Sequence, residues 1–297
     1  MLGHTNPQRY IVFNQNRDEV RANGGFPGSI LSFTMYKGNI LDYHGDDVYY
    51  YDWNLYPYKE IPPPGIALLT DSYGLRDVNY YPDFRDTLDK ANSFIERSGD
   101  ATVTTGIAIH QGIVEDILEK IGPVTVSGVT IPFDSDNFST LMSTLVENKY
   151  ARENTPKDIL FRFGSAFIAK IIEKNAPLDI LDTFDNYMKN GEILFASRDS
   201  EIDGFLDTYK KKLPWEQPAP NWIYPIWTSV SGNKSDRYIR RTYQAKTRKV
   251  DECKYENTIT LETRHLYGEK DTEELLSYFK TFGILDQEER KKLEFIQ

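Results

Sequence analysis

The opening of the chain is patterned as sheet. Tyr10 to Gln15 follows the strand period, Ser29 to Tyr36 repeats it, and Gly38-Asn39 between Tyr36 and Ile40 reads as a hairpin turn, so a β-meander is expected. From Asp42 to Tyr58 tyrosines and acids crowd together, and Pro62 to Pro64 stiffen the chain beyond them. This stretch reads as a surface excursion. After Asp83, a good N-cap, the residues Phe84, Leu88, Ala91 and Ile95 share one helical face, and Ser98-Gly99 ends the run.

Strand and helix then alternate. Gly106 to His110 reads as a short buried strand leading into a helix over Ile113 to Ile121. Gly122-Pro123 stops that helix before a second strand at Val124 to Val129. Asp134 to Asp136 can cap a helix carrying Phe138, Leu141, Met142 and Leu145. Thr155-Pro156-Lys157-Asp158 starts another, with the apolar face Ile159, Phe163, Phe167 and Ile171. Shorter helical stretches follow around Ile180 to Met188 and Ile202 to Lys211. Beyond the proline-rich joint Pro214 to Pro220, three strands are expected at Trp222 to Ser229, Arg237 to Lys246 and Asn257 to Leu266. No repeat of roughly 20 to 50 residues is present. The pattern predicts an α/β fold, a mixed sheet flanked by helices, over residues 1–270, with a short helical C-terminal extension over 271–297.

Composition narrows the function classes. With 297 residues, 39% hydrophobic and 13% aromatic, the chain can bury a sizeable core. A net charge of −10 repels polyanions, so nucleic acid is not expected as a partner, and any phosphate chemistry needs a local basic pocket. The single cysteine, Cys253, excludes an internal disulfide framework and a site of several thiolates, and leaves the compartment open. No apolar run reaches the roughly 18 residues of a membrane span, and Met1 to Pro7 lacks the pattern of a secretory signal. The chain as given is expected to be soluble.

Several catalytic patterns fail. Ser135-Asp136-Asn137 and Ser231-Gly232-Asn233-Lys234 imitate penicillin-binding signatures in the wrong order and without Lys-Thr-Gly. His4, His44, His110 and His265 lack zinc-protease spacing, and no Gly-x-Ser-x-Gly elbow exists. His110 closes an apolar strand and reads as a core or rim histidine. The glycine-rich Gly24 to Ser29 lacks the Gly-Lys-Ser/Thr of a nucleotide P-loop.

Guanidinium forks and exposed glycine amides suit phosphate oxygens. Arg21 with Gly24 and Gly25 combines the two, in a loop that also carries Arg17, Asp18 and Glu19. A second loop, Gly74 to Asn79, carries Arg76 and Asp77. Arg152, Lys157 and Arg162 gather at a helix start, and Lys234, Arg237, Arg240 and Arg241 form a fourth cluster. Each cluster alone is more readily solvated surface or a structural ion pair than a ligand site. Gly24-Gly25 can equally be a tight turn and nothing more.

As a set, Gln15-Asn16, Glu19-Val20-Arg21, Gly24-Gly25-Phe26-Pro27-Gly28-Ser29, Leu75 to Asn79 with Pro82-Asp83-Phe84, Gly106 to Ile109, Gly122 to Val126 with Gly128, Asp136-Asn137 and Asn233-Lys234 resemble the bacterial family called domain of unknown function 4012 (DUF4012). The likeness covers roughly residues 9–245. It departs at His110, where the family usually has an acid, and the tail from about Thr272 matches nothing in it. The family has no agreed activity. It implies an extracytoplasmic, cell-surface or membrane-anchored protein, with any membrane contact made through an anchor outside this chain. The order of elements more distantly resembles the LytR-CpsA-Psr enzymes, which implies transfer of polyprenyl-pyrophosphate-linked glycans to a cell-wall polymer. By that resemblance Arg21 and Arg76, with Gly24 and Gly25, would clamp the pyrophosphate. Arg152 and Arg162 would stand in for later basic positions, and Glu19 or Asp77 would supply an acid acting as a base or through a metal such as Mg2+. The rival expectation is a non-catalytic envelope module that binds glycan or protein through the aromatics of Tyr49 to Tyr58.

Overall fold

The structure is a computed structural model that describes residues 6–147, 158–174, 177–209, 213, 216, 222–229 and 234–284. The chain divides into two compact units, Met1–Gly232 and Asn233–Gln297, a cut that precedes the one expected near residue 270.

The first unit is a mixed five-stranded sheet in the order β3-β2-β1-β4-β5, with helices against it. Its strands are β1 (Gln8–Arg21), β2 (Gly24–Tyr36), β3 (Asn39–Asp47), β4 (Thr105–His110) and β5 (Leu194–Ser197). The pairs β1–β2, β2–β3 and β4–β5 are antiparallel, while β1 and β4 run parallel from Tyr10↔Thr105 to Gln15↔His110. The expected α/β class holds. Ile11 and Phe13 of β1 face the core with Ile30 of β2 and Ala108 of β4. Leu88, Phe94 and Ile95 of α2 (Phe84–Arg97) close over them, joined by Leu75 and Val78. Asp83 caps α2 by accepting from the Arg85 amide at 2.8 Å, as the sequence predicts.

The helices α3 (Gln111–Ile121), α4 (Phe138–Glu147), α5 (Asp158–Glu173), α6 (Pro177–Lys189) and α7 (Ser200–Leu206) complete this unit. Phe133, Phe138 and Phe163 meet edge to face or tilted beneath α4 and α5, with ring centroids 4.9 to 6.1 Å apart. The helix start expected at Thr155-Pro156-Lys157, like Arg152, lies outside the described residues.

Several local expectations give way to the fold. The segment that reads as a surface excursion is instead β3 followed by α1 (Val48–Asn54), because Val48, Tyr51 and Leu55 recur at helical spacing and are buried. Gly74 to Asn79 is mostly not open loop: Leu75–Tyr80 is 3-10 helix. Val124 to Val129 makes only an isolated bridge, Val124 to Phe133, where Gly122-Pro123 and Pro132 leave no room for a ladder. Residues 222–229 form no regular element, and no local pattern predicts β5.

The second unit holds a two-stranded ribbon, β6 (Ile239–Asp251) with β7 (Lys254–His265), and α8 (Glu269–Thr281). Tyr238 and Tyr267 meet edge to face at its base, 4.8 Å apart.

Candidate functional site

The end of β1 is bulged. Asn16 pairs with Phe26 but Val20 pairs with Gly25, so Arg17, Asp18 and Glu19 are looped out of the ladder; β1 does not end in an open loop, as the sequence suggests, but runs on to Arg21. The hairpin end is fixed from below: Gln15 Nε2 donates to Asn23 Oδ1 at 3.2 Å, and Asn23 Nδ2 donates to Thr87 Oγ1 of α2 at 2.7 Å. Asp18, Glu19 and Arg21 are all buried. Arg21 Nη1 donates to the carbonyls of Val20 and Ser229, both at 3.1 Å, and its guanidinium sits 5.4 Å over the Phe26 ring.

The 3-10 helix Leu75–Tyr80 brings the second motif alongside. Asn79, fully buried, donates through Nδ2 to the Gly25 carbonyl at 2.6 Å, tying this helix to the hairpin. Arg76 is held on four sides. Its Nη1 donates to Asp52 Oδ2 at 2.6 Å, its Nη2 to Thr70 Oγ1 and the Ser72 carbonyl at 2.9 Å, and its Nε lies 3.4 Å from Asp77 Oδ2. Asp52 also accepts from the Leu75 amide at 2.6 Å. Asp52 is supplied by α1, and sequence reasoning misses it because its segment reads as an excursion. The spacing Val48, Tyr51, Leu55 was the available signal.

The electrostatics follow from burial. Burial pushes the Asp77 carboxyl up to about 6, with Arg76 pulling it down, Asp52 pushing it further up and Arg21 pulling it down. Burial also raises the Asp52 pKa, opposed by Arg76 and by the backbone amides of Leu75 and Arg76. The Tyr49 hydroxyl is raised first by burial, is lowered by Arg76, and is raised by Asp47, Glu19 and Asp77, which sets it beside the same group. Glu19, Arg21, Arg76 and Asp77, from two distant segments, therefore gather with Asp52 and Tyr49. Acids match or outnumber cations there.

The other expected residues fall differently. Gly24 and Gly25 sit at the hairpin end beside Gln15 and Asn16, where close strand approach alone demands glycine: a Cβ at Gly25 would stand 2.1 Å from the Asn16 carbonyl oxygen. Arg162 on α5 pairs with Asp158 at 2.7 Å and donates to the Ser127 carbonyl at 2.7 Å. Among the described contacts none joins it to Arg21 or Arg76. The resemblance implies magnesium, and among the described residues no group of three or more acidic, histidine or cysteine side chains converges for a metal.

A second polar group lies where the parallel strands β1 and β4 end. His110 Nδ1 accepts from the Gly112 amide at 3.1 Å, capping α3 and leaving the ring proton on Nε2, which lies 3.5 Å from Glu192. Arg17 reaches the same Glu192 at 3.2 Å. Burial first, then Arg17, pushes the His110 pKa down from 6.5 to about 3. Between those values the unfolded chain binds the proton and the folded chain does not. The neutral ring's contribution is thus complete above pH 6.5 and is lost as pH falls toward 3. Asp77 acts in the opposite sense: the stability of its protonated form is lost as pH rises through about 6. Urea denaturation of the variants at pH 7 and pH 5 is expected to show a smaller acid-side loss in His110→Gln and a larger one in Asp77→Asn. Unchanged pH dependence in both would show that neither group titrates as its burial requires.

No described helix is long and apolar enough to cross a membrane. Among curated proteins none matches the chain. It is similar to the Lin1025 protein from Listeria innocua, at 9% identity and a TM-score of 0.39, covering 94% of this chain and 99% of that one. It is similar also to a Bacillus subtilis protein described as the transcriptional regulator yvhJ, at 8% identity and a TM-score of 0.38, covering 94% and 98%. A family model described as protein of unknown function (DUF4012) matches residues 5–180, more than half of the chain, and it contains the bulged β1, the hairpin glycines and the Arg76-Asp77 helix: the chain belongs to the DUF4012 family.

Proposed function

We propose that the first unit is a non-catalytic glycan-binding module of the bacterial cell envelope, and that its contact surface is the aromatic face of α1 and the turn after it. The observation that carries this reading is the division of labour on α1. Val48 and Tyr51 enter the core and Asp52 locks Arg76, while Tyr50 and Trp53 point out, with Tyr56 and Tyr58 exposed just beyond. Trp53 and Tyr56 are 77% and 71% exposed, an unusual placement for rings of that size. Tyr50 is braced edge to face against Tyr51 at 5.5 Å and His44 at 6.4 Å, so its ring is held in place for stacking on a sugar face. Arg76, by contrast, already has its guanidinium committed to Asp52, Asp77, Thr70 and Ser72, which leaves it poorly placed to receive a diphosphate.

Calorimetry against a panel of soluble cell-wall oligosaccharides tests this. Trp53→Ala and Tyr50→Ala are each expected to weaken binding about three- to tenfold while leaving stability within about 0.5 kcal/mol. Binding by wild type that ignores both substitutions would remove the aromatic face from the reading.

A second reading keeps a phosphotransferase-like site for polyprenyl-pyrophosphate-linked glycans. It is favoured by one observation, the meeting of Glu19, Arg21, Arg76 and Asp77 from separate motifs, with the Asp77 carboxyl near 6 and so suited to proton transfer near neutral pH. In it the incoming phosphates displace the acids from the guanidinium groups, and Asp77 takes the acceptor's proton. Saturable binding of a short alkyl pyrophosphate, lost in Arg76→Lys with the fold intact, would favour this reading over the first.

A further inference from the structure

The ribbon β6–β7 is exposed along nearly its whole length, and an isolated two-stranded sheet is marginal in water. Neither of its edges has a further strand partner among the described residues. The two edges are not alike. β6 carries Arg240, Arg241, Lys246, Arg248 and Lys249, and its ladder is broken between Lys249 and Asp251; charge and bulges both keep a foreign strand off an edge. β7 has neither protection at its centre. Asn257-Thr258-Ile259-Thr260-Leu261 is uncharged, rich in β-branched residues and in unbroken register with β6. The N–H and C=O groups that it turns away from β6 form an open template for another strand.

The sequence of β7 is complementary to itself in one register. A two-fold axis perpendicular to the sheet places each residue opposite one an even number of positions away, because only those share a face and turn their backbone groups the same way. Centring on Ile259 sets Glu256 against Glu262 and Lys254 against Arg264, like against like. Centring on Thr258 leaves Thr263 to His265 without partners, and centring on Leu261 leaves Lys254 to Glu256 without them. Centring on Thr260 pairs all of β7 but Lys254. It sets Ile259 against the partner's Leu261 and Glu256 against the partner's Arg264, each twice by symmetry. That register also answers a misfit within one copy. Arg240 stands directly across the ribbon from Arg264, a like-charge pair, and the salt bridge of Arg264 runs to Glu262 of its own strand. The partner's Glu256 would arrive on the open side of Arg264. On the opposite face Tyr243, Leu261, the partner's Ile259 and the partner's Ala245 would stand in one apolar row across four strands.

We propose that two copies of this chain pair antiparallel through the free edge of β7, about a two-fold axis at Thr260, making one four-stranded sheet from two ribbons. Light scattering and sedimentation of the full chain are expected to show a concentration-dependent dimer. Glu256→Arg makes both charge contacts of the interface repulsive, and so does Arg264→Glu. Each variant alone is expected to dimerise at least about tenfold more weakly. An equimolar mixture of the two restores opposite charges at both contacts and is expected to recover the wild-type affinity as a heterodimer. No other antiparallel register brings these two positions together. Both side chains are exposed, so unchanged circular dichroism spectra are expected, and recovery on mixing would itself show that both variants fold. A chain that stays monomeric at every attainable concentration, a dimer that ignores the substitutions, or weakened variants that do not recover on mixing would overturn the proposal.

Discussion

Replacing Arg76 by alanine is expected to destabilise the fold by about 3–5 kcal/mol in urea denaturation. The reason is what remains behind. Asp52 is buried on α1 and Asp77 is buried on the 3-10 helix, and Arg76 is the cation that faces both. Without it Asp52 keeps only the backbone amides of positions 75 and 76 as described donors, and two carboxylates, of which Asp52 already raises Asp77, are left in a poorly solvated pocket. Protonation then becomes the cheapest relief, so the variant should regain stability as pH falls toward 5. Adding Asp52→Asn to the alanine variant removes one of the stranded charges and is expected to restore part of the loss, a coupling that a double-mutant cycle reads directly. A loss under about 1 kcal/mol would mean that water reaches the cluster and that Arg76 is available to a ligand. The same result bears on function, because loss of ligand binding in Arg76→Ala has no meaning until the fold of the variant is established. Arg76→Lys, which keeps the charge and loses the fork, is the cleaner probe.

The fold was legible where one periodicity dominated. The strands at Tyr10 and Ser29, the Gly38-Asn39 turn, the Asp83 cap and the helix ended by Gly122 follow from local rules, and the structure places them within a few residues. What failed had non-local causes. β5 is four residues long and exists because β4 offers it an edge, which no local pattern announces. Val124 to Val129 has strand composition but finds one bridge partner, Phe133, and no sheet edge. The site was half legible. Arg21 and Arg76 stood out as motifs, and both pull down the carboxyl of Asp77. Their counterion Asp52 did not stand out, since an acid among tyrosines carries no signal until α1 is known to turn it toward the 3-10 helix. That residue gives Arg76 a buried counterion that its own motif does not announce.

The hairpin glycines make the second strong prediction. Gly25→Ala is expected to cost about 3 kcal/mol or more, and the loss should be the same with or without any ligand. Gly25 pairs with Val20 across the bulge, and its missing side chain points at the Asn16 backbone: the carbonyl oxygen would lie 2.1 Å from a Cβ and the Arg17 nitrogen 2.7 Å. These are main-chain atoms, so no rotamer change relieves the contact. The strands must part, and parting them pulls the Gly25 carbonyl from Asn79 Nδ2, a buried group with no cheap substitute partner. Gly24 beside it adopts φ +138°, a region that side chains rarely enter, and its Cβ would meet Gln15 Oε1. That contact is with a side chain, so Gly24→Ala is expected to cost less in clash than Gly25→Ala and to add backbone strain instead. Thermal denaturation that ranks Gly25→Ala as the more damaging change assigns this Gly-Gly pair to strand packing. Two well-folded alanine variants that lose affinity for an alkyl pyrophosphate would assign it to an anion cradle, because only then would the glycine amides matter more than the space beside them.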